Sequence, residues 1–197
     1  MAQVKKAEVR EAILASAYRL FKRKGYVATT TAQIAAGARM SESNLYVYFA
    51  SKIEILYAIF EPWMRDWIRQ LEERALAEPD SRARLRLVLA AVWRDMPSHD
   101  NGFTNNFMQA LSTSARGEGY RPDLLRWVEE RIDNLILGAV PTKRRALLSK
   151  GALAHILMMA QDGFSMNVHI NPSMPCSEET IELFCDLILG TSASARS

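Results

Sequence analysis

The chain is short of the residue types that staple a fold or carry chemistry. Its 197 residues include two cysteines and three histidines. Cys176 and Cys185 alone make no disulfide framework, so a reduced, cytoplasmic setting is expected. The opening MAQVKKAEVREAIL is charged and lacks the apolar segment of a signal peptide. No apolar run approaches the roughly 20 residues of a membrane helix, so no membrane partner is expected. No Gly-rich phosphate loop, GxSxG elbow or HExxH pair occurs. His99, His155 and His169 have no convincing nucleophile near them in sequence, and an enzyme is not expected. His155, Met158, Met159, His169, Met174 and Cys176 gather soft ligands, but their spacing closes no metal motif, and neither metal nor other cofactor is expected. Strand-like alternation and internal repeats are also missing.

What remains is helical periodicity and uneven charge. Residues 1–52 hold nine basic and three acidic residues, a net of +6, while the remainder holds sixteen and nineteen, a net of −3. The first quarter therefore carries an electrostatic footprint for phosphate. Val9, Ile13, Ala17, Leu20 and Phe21 put one apolar face on a helix over 5–24, stopped at Gly25. Later stripes predict helices over 52–77, 81–96, 100–115, 122–139, 142–168 and 177–189. Pro62 is expected to kink or split the first of these, and Pro97 to end the second. Loops are expected at 116–120 and 171–176, and a fraying tail after Leu189. The fold class is all-α, with about nine helices.

The chain is organised around residues 29–52, TTTAQIAAGARMSESNLYVYFASK. Thr30 with Gln33 reads as a capping box, Ser41 as the cap of a short helix from Glu42 to about Phe49, and Ser51 with Glu54 as a second capping box. Three helix starts within about two dozen residues are the signature of a helix-turn-helix.

Lys24-Gly25-Tyr26, Thr29-Thr30, Ile34-Ala35, Ala38, Ser41, Leu45-Tyr46, Tyr48-Phe49 and Ser51-Lys52 together resemble the TetR (tetracycline-repressor type) family of transcriptional regulators. Asp162-Gly163 resembles that family's dimerisation region. Arg39 and Met40 stand where the family usually has glycine and valine, and Glu42 where a basic or neutral residue is commoner. If the turn needs a positive φ, Arg39 carries strain there. The resemblance implies a DNA-binding domain over 1–52 and an effector-binding and dimerisation bundle over 53–197. It implies a homodimer through helices near 142–168 and 177–189. It further implies a double-stranded DNA operator and a small-molecule effector of unknown identity that releases the repressor. The alternative is a helical small-molecule-binding or metal-sensing protein of the same fold.

Leu45 is the expected apolar anchor of the third helix. Asn44 suits adenine, because a carboxamide bonds both of its major-groove groups, and Glu42 can accept from a cytosine amino group or simply favour the helix dipole. Tyr46, Tyr48 and Lys52 are expected phosphate clamps, Tyr48 equally a half-buried core residue. Thr29, Thr30 and Thr31 at the start of the second helix offer hydroxyls and backbone amides to phosphates, with at least one of them used as the cap, and Ser41 and Ser43 complete the DNA-binding candidates. For the effector, Trp63, Trp67, Trp93 and Trp127, with Phe103 and Phe107, suggest an adaptable apolar cavity. Met96, Met108, Met159 and His155 complete that candidate set.

Overall fold

The structure, a computed structural model, describes residues 2–99, 102–114, 119–148 and 151–191. Among these residues every regular element is helical. α1 is Ala2–Lys24, α2 Thr31–Gly37, α3 Glu42–Leu45 and α4 Lys52–Ala77. α5 spans 81–99, α6 is Phe103–Thr113 and α7 Pro122–Ala139. α8 is Thr142–Leu148, α9 Ala152–Ile170 and α10 Glu178–Leu189. The all-α expectation holds, with ten helices among the described residues rather than about nine. The extra one comes from 142–168, which is divided at Gly151, where φ is +73°. A right-handed helix cannot pass through that angle. Much of the loop expected at 116–120, and nearly all of the tail, lie outside the described residues.

The chain divides into two compact units, Met1–Arg65 with Asn101–Tyr120, and Asp66–Asp100 with Arg121–Ser197. The crossing lies inside α4, about a turn beyond Pro62. The helix runs through Pro62 for its full 26 residues rather than splitting. Proline there removes one N–H, the partner of the Ala58 carbonyl, and the bonds on either side carry the helix on.

In the first unit the apolar faces of α1, α2 and α4 meet. Ile13, Ala17, Ile34, Leu45, Ile55 and Leu56 are all buried. Buried Ser16 on α1 donates its hydroxyl to the Ile34 carbonyl of α2 at 2.9 Å. That contact is allowed by Gly37, since a Cβ there would overlap the Ser16 hydroxyl. α6 joins the same unit through its rings. Phe103 lies 6.1 Å from Tyr18, 5.4 Å from Phe60 and 5.7 Å from Trp63, and Phe107 lies 4.7 Å from Tyr57.

The second unit is built on α5, which packs on α7, α9 and α10. Residues 88–93 are all buried. This is more than one α-helical face can hide, because α7, α9 and α10 cover α5 on several sides, and a π turn widens the helix at Ala91–Asp95. The wide turn explains why Pro97 does not end the helix. Its ring would press on a carbonyl one α-turn back, and the widened turn makes room, so helix continues to His99. Trp93 donates from Nε1 to the Leu157 carbonyl at 3.0 Å and meets Phe184 edge-on at 4.6 Å. Arg82 pairs with Glu182 and, at 2.7 Å, with Asp186, while Arg94 pairs with Glu178 at 2.9 Å. These pairs tie α5 to α10.

Burial raises the Asp162 carboxyl on α9 from 3.8 to about 6. A raised carboxyl stabilises the fold in its protonated form. That contribution is complete below the unfolded value and is lost as pH rises to about 6. Asp162→Asn is therefore expected to gain about 2 kcal/mol at pH 7 and to flatten the pH dependence of urea melts in this window. An unchanged slope would show that another group causes it.

Candidate nucleic-acid interface

The face is assembled by caps. Thr30 accepts from the Gln33 amide at 3.2 Å, and Gln33 Oε1 accepts from the Thr30 amide at 3.2 Å, so the first capping box is present. Gln33 also accepts from Lys24 of α1. Ser41 accepts from the Asn44 amide at 3.3 Å and starts α3. Ser51 accepts from the Glu54 amide at 3.2 Å, while the Glu54 carboxylate reaches the amide of Ala50 at 2.6 Å rather than that of the cap itself. Between α2 and α3 the chain turns at Arg39, the one non-glycine residue with positive φ, +60°, among those described. An L-residue pays about 1 kcal/mol there. Arg39→Gly is expected to stabilise the protein by about 0.5–1 kcal/mol in urea melts, and no gain would mean the turn relaxes around arginine.

α3 is shorter than expected. Helix ends at Leu45 and a tight turn follows, with Val47 N–H on the Asn44 carbonyl and Tyr48 N–H on the Leu45 carbonyl. Leu45 is fully buried and Phe49 nearly so, with the Arg10 guanidinium 5.0 Å over the Phe49 ring. These anchors push the rest outward. Glu42, Ser43, Asn44 and Tyr46 are exposed, and Tyr48 is half-buried. Val47, to which the sequence assigns no role, is 71% exposed. Only its place one residue beyond Tyr46 could have singled it out. A bare isopropyl group of this kind suits a thymine methyl.

Several polar groups of the face are already paired with one another. Tyr46 Oη lies 3.4 Å from the Thr31 hydroxyl, which donates to the Glu42 carboxylate. Ser41 and Ser43 hydroxyls share a bond of 3.1 Å. Two expected residues sit differently. Thr29 is fully buried and donates to the Gly25 carbonyl at 2.7 Å, closing the α1–α2 turn, so its hydroxyl does not reach the face. Lys52 donates to the carbonyls of Tyr26 at 2.8 Å and Thr29 at 2.7 Å, with its ammonium 4.0 Å over the Tyr26 ring. Burial, and then Lys24 nearby, lower its pKa. An ammonium has three donors, so one remains for a phosphate.

The expected effector residues fall in both units. In the first, Trp63, Phe103 and Phe107 share the cluster around Phe60, while Met108 is 41% exposed. In the second, Trp93 and Met96 are fully buried core, and Trp67 and Trp127 are half-buried. Trp127 has the Arg131 guanidinium 5.9 Å over its ring. His155 is exposed and bonds Glu129 at 2.6 Å, and Met159 is 43% exposed. Among the described residues no three of His, Cys, Asp and Glu gather as metal ligands, and no helix is long and apolar enough to cross a membrane.

Capped short helices, a buried anchor on α3 and an exposed polar surface beside it define a helix-turn-helix regulator. Residues 13–59 match the family model described as bacterial regulatory proteins, tetR family. The nicotine-responsive transcriptional repressor HdnoR of Paenarthrobacter nicotinovorans is 23% identical over 184 residues, 91% of this chain and 93% of that protein. The fatty acid degradation regulator FadR of Bacillus halodurans has a similar fold, with a TM-score of 0.66 at 15% identity, covering 94% of this chain and 96% of its own. FadR of Bacillus subtilis, solved in complex with stearoyl-CoA, has a TM-score of 0.60 at 17% identity, over 92% and 98%. Over residues 13–59 the chain carries the helix-turn-helix of the TetR family of bacterial regulatory proteins, and over most of its length it is similar to a transcriptional repressor.

Proposed function

We propose that this chain is a homodimeric repressor of the cytoplasm, released from its operator by a small organic effector. Residues 1–52 serve DNA, and 53–197 serve effector and dimer. The observation that carries the reading is the exposed row Glu42, Ser43, Asn44, Tyr46 and Val47 on a head of net charge +6. α3 with its turn fits a major groove. There Asn44 and Glu42 meet base edges, and Tyr46, Thr30, Thr31 and the free N–H of Lys52 meet phosphates. Tyr46 and Thr31 then exchange their mutual bond for phosphate oxygens.

Dimerisation is supported by apolar residues left in water. Ile156 and Met159 stand exposed one turn apart on α9, and Leu183 and Leu187 one turn apart on α10. Such stripes at helical spacing suit a helix-on-helix interface. The effector's chemistry is open across the relatives, one nicotine-responsive and one holding stearoyl-CoA, and these two compounds are the first to try. Selection of random duplexes on the purified protein tests the core of the reading. A two-fold symmetric consensus is expected, bound with an affinity that falls steeply with salt. Recovery of no consensus would end it.

A further inference from the structure

We propose that Gln109 of α6 is a positioning residue for the DNA-binding head, holding the α1–α2 turn in its binding geometry. The inference rests on the reading of this head as the DNA-binding element.

The turn runs from Gly25 to Thr30 and sets where α2 begins. Three groups hold it. Thr29 closes it from within, through the Gly25 carbonyl. Lys52 of α4 grips the carbonyls of Tyr26 and Thr29. The third comes from 82 residues further along the chain, where the Gln109 side-chain oxygen accepts from the Val27 amide at 3.1 Å. The fit is close as well as polar. A Cβ at Gly25 would stand 2.9 Å from Gln109 Oε1 and 3.2 Å from Nε2. Gly25, at φ +79°, thus has two reasons to be glycine, its backbone angle and the amide against it.

Lys52 and Gln109 satisfy different groups. The lysine takes carbonyls and the glutamine takes an N–H, so neither substitutes for the other. The partners of Val27 are few, because the turn belongs to neither helix, and its side chain is 57% exposed. On its other side α6 is fixed to α4 by Phe103 and Phe107 against Phe60. α6 therefore bridges α4 and the α1–α2 turn within one compact unit. A displacement of α6 relative to α4 reaches the start of α2 through the Val27 amide, and this route to the DNA-binding face is separate from tilting of α4 itself.

The test compares Gln109→Met, which keeps length and removes the acceptor, with Gln109→Glu, which keeps the acceptor. Three readouts are needed: hydrogen exchange at the Val27 amide, melting temperature, and affinity for the duplex that the wild type selects. Gln109→Met is expected to raise Val27 exchange at least about tenfold and to weaken duplex binding about fivefold, the effect of one lost hydrogen bond, with little change in melting temperature. Gln109→Glu should restore both. Wild-type exchange and affinity in Gln109→Met would overturn the proposal. So would a large fall in melting temperature in both variants, which would make Gln109 an ordinary packing residue. If the wild type selects no duplex, the regulator reading fails, and Val27 exchange still decides whether the contact exists.

Discussion

Replacing Leu183 and Leu187 together by glutamate is expected to leave a folded monomer with operator affinity at least about 100-fold weaker. Both side chains are more than half exposed in the single chain, so charge there costs the protomer little. In the proposed dimer the same substitutions place four carboxylates in an apolar interface. Each lost leucine forgoes about 1.5–3 kcal/mol of burial, and each buried carboxylate adds a desolvation cost. The two heads then bind as separate ligands, and the gain from joined half-sites disappears. Sedimentation gives the mass and circular dichroism the helix content. A variant that stays dimeric would move the interface elsewhere, to be sought first around Ile156 and Met159.

The second large effect is expected at Gly37. Gly37→Ala should destabilise the protein by about 2 kcal/mol and lower operator binding in proportion. Alanine is the better helix former, so propensity alone predicts the opposite sign. The contact decides. A Cβ at Gly37 overlaps the Ser16 hydroxyl and stands 3.3 Å from Ser16 Cβ. Ser16 can escape only by giving up its bond to Ile34, which strands a buried hydroxyl. Ser16→Ala removes the overlapping atom, so the double variant should lose less than the sum of the single ones. Strict additivity in urea melts would show that the clash is relieved by backbone movement instead.

Much of the head was legible because its decisive interactions are local. A cap is settled within three or four residues, so Thr30, Ser41 and Ser51 could be placed from spacing alone. Leu45 followed from the need of so short a helix for one anchor. The strain at Arg39 followed from the missing glycine. What was not legible depends on groups brought together by the fold. Nothing near Lys52 announces that its ammonium will cap two carbonyls more than twenty residues earlier. Thr29 looks like its neighbours Thr30 and Thr31, yet it alone turns inward. The π turn of α5 leaves no mark in a 3.6-residue pattern. Aromatic and methionine content pointed to an effector cavity, but composition cannot separate Trp93, which is core, from Met159, which faces solvent.

The first unit is discontinuous in sequence, and this has a consequence for synthesis. When residues 1–65 have left the ribosome, all the groups proposed to touch DNA have been made. The unit still lacks α6, and with it the rings that cover Phe60 and Trp63 and the amide that meets Val27. Those arrive only after the first stretch of the second unit, 66–100, has been threaded out. Completion of the head therefore waits on a contact of high sequence separation, the slow kind. A chain cut at residue 65 is expected to hold a helix-turn-helix that binds 8-anilinonaphthalene-1-sulfonate through exposed rings, and supplying 101–120 should quench it.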